Sequence, residues 1–307
     1  MPDRRASLTD SSIDSCRCSR AARVGALNAL ACCCVALSGN AEPSIGQFEL
    51  KTLESAPGLI EFQSQNAYSW GEPQRRVASD GAEPVYDENS IARQRHALEL
   101  EFGFTNRVKM RVGIEFEKER LDEPPTPEQA NDYEDLELTE YGAEIIAVFV
   151  PREGDGAGLG FVAELEAPID DEESSALVLG PIVEFQSGPW FAAAVPMVVH
   201  AFGGEADEGE EIDDKWDFAY AAQLLYTFSS AWSLALEGYG TVERIGSTGH
   251  PSEAAELFGD FDQHRLGPVL YFTYGEDTSL DLGLGLLAGL NADTPDLTLK
   301  LSIEVDF

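Results

Sequence analysis

Beyond residue 34 the sequence contains no cysteine; all five, Cys16, Cys18, Cys32, Cys33 and Cys34, lie near the start. The remainder therefore has no disulfide framework, no thiolate metal site and no cysteine nucleophile. Bases are scarce, with 20 Lys and Arg against 56 Asp and Glu in 307 residues. A surface this acidic repels phosphate backbones, which argues against a nucleic-acid partner. After the first 41 residues no stretch approaches the roughly 20 apolar residues of a spanning helix, so a membrane protein of this sequence has to cross as a β-barrel. Histidine is rare, at His96, His200, His250 and His264. None sits with a nucleophile in a recognisable motif, and neither a Gly-rich phosphate loop nor a His-x-x-x-His pair occurs. No enzyme activity, metal or cofactor is expected. Disorder is not expected either, because 43% of the chain is hydrophobic and aromatics run along its whole length.

The cysteines belong to a leader. Arg4, Arg5, Arg17, Arg20 and Arg23 precede a short apolar stretch, Val24 to Leu37, and small residues follow at Gly39 and Ala41. This is the layout of a secretory signal peptide, residues 1–41, cleaved after about Ala41. A lipoprotein signal at Cys32 is the competing reading, and Ala29-Leu30-Ala31 fits it poorly. Removing the leader's five Arg and three Asp leaves 15 bases and 53 acids, a net charge of −38.

What the rest contains in abundance is two-residue alternation. In the last eleven residues, "LTLKLSIEVDF", Leu297, Leu299, Leu301, Ile303, Val305 and Phe307 are apolar, and Thr298, Lys300, Ser302, Glu304 and Asp306 are polar. Arg95 to Glu117 reads as a hairpin with a three-residue turn, Thr105–Arg107. Leu98, Leu100, Phe102 and Phe104 share one face, continued by Val108, Met110, Val112, Ile114 and Phe116. Keeping those faces together sets Phe104 opposite Val108 and Glu101 opposite Arg111. A second short turn is expected at Ser229–Ala231. Other strands are expected at about 58–70, 138–151, 156–167, 174–187, 190–203, 262–275 and 278–290. Short gaps alternate with longer, mostly acidic ones at 71–91, 121–137, 168–173, 204–214, 246–261 and 291–295.

The pattern predicts an all-β fold: a closed, antiparallel, up-and-down transmembrane barrel of about 12 strands over residues 58–307, in the bacterial outer membrane. Both termini fall on the short-turn, periplasmic side. A soluble β-sandwich also alternates, but its strands usually run to only about 5–6 residues. Residues 42–57 are left over, as an N-terminal periplasmic extension, a lumen plug or a further strand. Tyr68, Trp70, Trp190, Trp216, Phe228, Trp232 and Tyr274 fall at strand ends, as interfacial girdles do.

Three stretches, Phe102–Glu117, Tyr226–Gly240 and Leu287–Phe307, together resemble the meta-pathway phenol-degradation family of outer-membrane barrels, a porin-like group. The carrying features are the Thr105-Asn106-Arg107 turn between amphipathic strands and a closing element with Gly289, Leu290, Asp293, Pro295, Asp296 and Leu299 at the family's places. The resemblance implies the barrel and passage of small, in part aromatic, solutes.

Strand parity assigns the lumen wall. The inward charges are expected to be Glu99, Glu101, Lys109, Arg111, Glu115, Glu117, Glu164, Glu184, Glu237, Arg265, Asp281, Lys300 and Glu304. Acids predominate, so an open lumen favours cations. The same residues, paired as Glu101 with Arg111, equally well brace a narrow barrel and close it. The expected function is a porin-like channel for small solutes; the alternative is a closed barrel that displays acidic loops without transport. Those loops hold seven acids each, within 121–137 and within 204–214, and no calcium-loop spacing. Basic spots at Arg93–His96 and Gln263–Arg265 lie near the predicted extracellular rim, where outward members would meet lipopolysaccharide phosphates. The expected partners are outer-membrane lipid and lipopolysaccharide, small solutes, and the barrel assembly machinery, read from Leu299, Leu301, Ile303, Val305 and the terminal Phe307.

Overall fold

The computed structural model describes residues 50–73, 75–76, 85–86, 89–123, 135–152, 154–170, 174–203, 205–206, 210–211, 215–243, 245, 262–275 and 279–307. The leader, residues 42–49, most of the acidic stretch within 121–137, parts of 204–214, and 246–261 lie outside the described residues.

Twelve strands alternate in direction: β1 Ile60–Glu72, β2 Ile91–Thr105, β3 Val108–Leu121, β4 Glu137–Val150, β5 Gly156–Pro168, β6 Ser175–Ser187, β7 Trp190–Phe202, β8 Lys215–Thr227, β9 Trp232–Val242, β10 Gln263–Tyr274, β11 Leu280–Gly289 and β12 Leu297–Asp306. Each pairs antiparallel with its sequence neighbours, and β12 returns to β1, so the sheet closes as a barrel. The seam runs from Glu61 opposite Asp306 to Trp70 opposite Leu297. Closure leaves no strand edge, which is the condition for backbone to cross hydrocarbon without unpaired N–H and C=O groups. Two-residue ribbons, Arg75–Arg76 with Val85–Tyr86 and Glu205–Ala206 with Glu210–Glu211, add to the long loops.

The expected alternation of short turns and long loops is present, with β1 beginning and β12 ending on the short-turn side. The hairpin register differs in one detail. Glu101 does face Arg111, but the pairing shifts so that Thr105, not Phe104, meets Val108. Phe104 occupies the bulge, exposed on the outside. A bulge of this kind absorbs one residue and increases twist, and parity alone cannot locate it.

In a single-layer barrel shielded and exposed side chains alternate along a strand, and the shielded set points inward. On that criterion Leu282, Leu284 and Leu286 of β11, Leu224 and Tyr226 of β8, and Ile145 and Phe149 of β4 point out. Aromatics mark both ends of this outer face. Trp190 contacts Tyr226 at 4.8 Å and Trp232 contacts Phe272 at 4.6 Å on the short-turn side. Trp70 and Trp216 lie outward at the long-loop side. An apolar exterior with aromatic ends around a charged interior is the outer-membrane arrangement, and the bacterial outer membrane is where this chain resides.

Candidate functional site: the barrel lumen

The lumen has two unlike walls. One is charged and is built by β1–β3, β9, β10 and β12. Glu61, Gln63, Gln65, Glu99, Glu101, Lys109, Arg111, Glu115, Glu237, Arg265 and Lys300 are all buried there. The other is apolar and is built by β4–β8. Ile146, Val148, Val162, Val178, Ile182, Val195, Met197, Val199 and Ala219 form one continuous buried cluster. Sequence reading missed the apolar wall because these strands are apolar on both faces: "ALVLGPIV" in β6 and "FAAAVPMVV" in β7 carry almost no alternation. A strand with lipid outside and a packed lumen inside loses the contrast on which parity depends.

On the charged wall, Glu101 lies between Lys109 (2.9 Å) and Arg111 (3.0 Å), and Arg111 reaches on to Glu99 at 3.7 Å and Glu144 at 3.9 Å. Further round, Glu237 is wholly shielded and meets Lys300 at 2.8 Å. The hydroxyls of Tyr239 and Tyr271 also donate to Glu237, and Lys300 donates to the Tyr239 oxygen at 2.6 Å. Tyr239 shares the parity of Glu237, so the same alternation would have found it.

Towards the long loops the interior is a lattice of arginine and glutamate. Arg93 contacts Glu72 (3.0 Å), Glu117 (3.1 Å) and Glu119 (3.1 Å), while Arg95 contacts Glu117 at 2.8 Å and Glu115 at 3.9 Å. Arg265 donates to Thr298 at 3.0 Å and Gln263 at 2.8 Å. These arginines and Glu72 line a small polar cavity with Ala67 and Ser69. The basic spots expected at the outer rim thus turn their arginines inward. Their outward members are Gln94 and His96, and His96 hydrogen-bonds Asn66 at 2.7 Å on the lipid side, whereas His264 is buried beside the Tyr220 hydroxyl at 3.0 Å. The outward bases near the extracellular end are Lys118 and Arg120 instead.

Towards the short turns, Asp281 accepts from Thr273 and from Ser279 at 3.3 Å. Glu304, Glu61 and Asp306 bring carboxylate oxygens within 4.8 Å of one another. Gln63 donates to Glu61 and Ser279 donates to Asp306 at 2.6 Å, so protein donors already hold two of the three, and no metal role is assigned.

Residues 50–53 place Lys51 and Leu53 inside the barrel, and 54–57 lead out along the short-turn end of β2, so that the segment joins the two walls. At the β2 end, Gly58 N–H donates to Gly103 O (2.8 Å) and Gly103 N–H to Leu59 O (2.9 Å). A Cβ at Gly103 would overlap the Ala56 carbonyl, so only glycine admits this approach. Ser55 donates to Thr105 O at 2.6 Å, and Lys109 donates to the Thr52 hydroxyl at 3.1 Å. On the apolar side, Lys51 is 1% exposed and pairs with Glu144 and, at 3.2 Å, with Glu164. Leu53 N–H donates to Glu184 at 2.7 Å, and Arg152 reaches the other oxygen of Glu184 at 3.1 Å. The Leu53 side chain joins the apolar cluster above Gly158 and Gly160, where a Cβ on Gly160 would overlap it.

Glu164, opposite Glu144 on the next strand, and Glu184 are thus met by Lys51, the Leu53 amide and Arg152, none of which lies on a barrel strand. Glu144, Lys51 and Arg152 were not anticipated. The only sequence trace of Lys51 is that it is the single base in residues 42–57.

Neither a protein-family model nor a curated protein sequence matches the chain. Solved structures do. The COG4313 outer membrane channel from Pseudomonas putida F1 superposes with a TM-score of 0.60 at 13% identity, over 84% of this chain and 100% of that one. The NanC porin gives a TM-score of 0.47 at 8% identity, over 80% and 98%. The transport unit of the autotransporter AIDA-I from Escherichia coli gives 0.45 at 10% identity, over 86% and 94%. The last two are too distant in shape to add weight. At these identities the likeness is one of fold: this chain is a barrel of the kind that outer-membrane channels use.

Proposed function

We propose that the protein is a narrow outer-membrane channel for passive passage of small solutes, with a bias towards cations. The observation that carries this reading is the charged wall. Buried ion pairs cost desolvation, and well-packed apolar residues of similar volume often serve stability as well or better. A barrel built only to stand in the membrane has no use for Glu99, Glu101, Lys109, Arg111, Glu237 and Lys300 in its interior. A channel does, because solutes need polar partners as they pass. Acids outnumber bases among the inward charges, which favours cations. The apolar wall facing them suits solutes with an apolar side, in line with the resemblance to the phenol-degradation barrels. The fold shared with the Pseudomonas putida channel supports the same reading.

In this proposal the leader, residues 1–41, directs export, residues 42–57 include a lumen plug, and residues 58–307 form the barrel. The outward residues Leu299, Leu301, Ile303, Val305 and Phe307 serve the assembly machinery. Lys118 and Arg120 are the outward bases placed to meet lipopolysaccharide.

The test is planar-bilayer recording of the purified full chain. Stepwise, cation-selective conductance is expected. A second reading, a closed barrel displaying acidic loops, is favoured by the tight packing of the interior. No conductance, even from variants in which Lys51 and Leu53 no longer hold the N-terminal segment in place, would decide for it.

A further inference from the structure

The carboxylates Glu144 and Glu164 sit at the boundary between the charged and apolar walls, and the group they hold is a primary ammonium on an alkyl chain, that of Lys51. Two residues on, Leu53 fills a notch between Gly158 and Gly160 in the apolar wall, and Leu50 packs against a second buried cluster that includes Ala221, Ala235 and Leu287. None of these contacts belongs to the strand ladder. A short stretch of chain lies in the lumen as a ligand lies in a site: charged head on paired carboxylates, apolar groups on an apolar face.

We propose that residues 50–53 are a resident mimic of the solute, and that the lumen site they occupy takes organic cations with a primary ammonium head and a short apolar body. This rests on the channel reading and names the solute class for it. Glu144 and Glu164 hold the head group, Arg111 lies 3.9 Å from Glu144, and the bases nearby are themselves met by acids, Lys109 by Glu101 and Arg111 by Glu101 and Glu99. Once Lys51 leaves, the four acids of this set exceed its two bases by two. Arg111, at 3.9 Å from Glu144, offsets part of that excess and none of the apolar contact. A simple ion such as sodium would satisfy the carboxylates alone. A carboxylate solute would satisfy the apolar wall alone. An alkylammonium satisfies both, as Lys51 and Leu53 do together. The segment and the solute compete for one place, so occupancy by the solute also displaces the block.

The experiment uses the full chain carrying Lys51→Glu and Leu53→Asp, which turns both anchors against their partners and leaves every barrel strand intact. Heat-modifiable gel mobility reports folding. Binding of n-hexylammonium, sodium and hexanoate is measured by titration calorimetry in detergent, and conductance separately in planar bilayers. The expected result is that the double variant binds hexylammonium at least about tenfold more tightly than the wild type, in which the segment competes for the same place. Sodium and hexanoate bind at least about tenfold more weakly, a difference of about 1.4 kcal/mol. Adding Glu144→Gln and Glu164→Gln to the double variant is expected to weaken hexylammonium by at least a further factor of about ten. Equal binding of hexylammonium and hexanoate, no binding by the double variant, or binding unchanged by the glutamine substitutions would overturn the proposal. Conductance decides the parent reading on its own: a variant that conducts but does not select hexylammonium leaves the channel standing and removes this site.

Discussion

The two walls of the lumen solve the same packing problem with opposite chemistry. Around Glu101, Arg111, Glu237 and Lys300, each charge is buried against partners that adjacent or facing strands supply. Val178, Ile182, Val195 and Met197 instead pack into one apolar cluster. The carboxylates set into that side, Glu164 and Glu184, are met by Lys51 and the Leu53 amide from a segment outside the strands. The difference teaches where each half derives its order. The charged wall is specified pair by pair, with a high cost for any partner left alone. The apolar wall is specified by volume and tolerates exchange.

Breaking the charged wall at its most enclosed point gives the largest expected effect. Glu237→Leu leaves Lys300 buried without its carboxylate and is expected to destabilise the reconstituted barrel by about 3–5 kcal/mol, read from urea unfolding by tryptophan fluorescence. Glu237→Leu with Lys300→Met removes both charges, and most of the loss should return. A double variant as unstable as the single one would show that packing, not charge, sets the cost.

The matching cut in the apolar wall is Ile182→Ala. It is expected to cost about 2–3 kcal/mol, low in the range for such truncations because side chains across the lumen can relax into the space. No second-site charge change should rescue it. Glu101→Gln sharpens the comparison from the charged side. It keeps the shape and one hydrogen-bond acceptor, so a smaller loss of about 1–2 kcal/mol is expected, with reversal potentials shifted towards anions in bilayer recordings.

Phe307→Ala lies outside both walls. The ring is 68% exposed, and the Phe307 amide bonded to Ile60 O at 3.0 Å is backbone and survives the substitution. The assembled barrel should change by less than about 0.5 kcal/mol. If the ring serves the assembly machinery, the fraction of chain that reaches the assembled, heat-modifiable form should still fall. An unchanged assembled fraction would count against that role.

Strands with one polar and one apolar face were legible, because lipid outside and charge inside leave a two-residue signature. β2, β3, β11 and β12 are of this kind, and they carry most of the expected lumen residues. Glu99, Glu101, Lys109, Arg111, Glu115, Glu164, Glu184, Glu237, Arg265 and Lys300 are buried, and Glu117, Asp281 and Glu304 are half-buried nearer the strand ends. β6 and β7 were legible as strands but not as a wall, since both of their faces are apolar. The arginines at 93 and 95 read as rim residues because charge near a loop is usually solvated. Their inward turn follows from glutamates on neighbouring strands, which register brings close and spacing along one strand does not.

By itself the sequence determined an antiparallel barrel of about twelve strands, the apolar face of each amphipathic strand and the side on which the short turns lie. All of these follow from period-two alternation and gap length, which are local. The tertiary structure alone decided that a charged wall stands opposite an apolar one, because that depends on which strands lie across the barrel from each other. It alone placed Lys51 on Glu144 and Glu164, more than ninety positions away along the chain. A buried ammonium requires a carboxylate within reach, and only closure of the barrel brings one there.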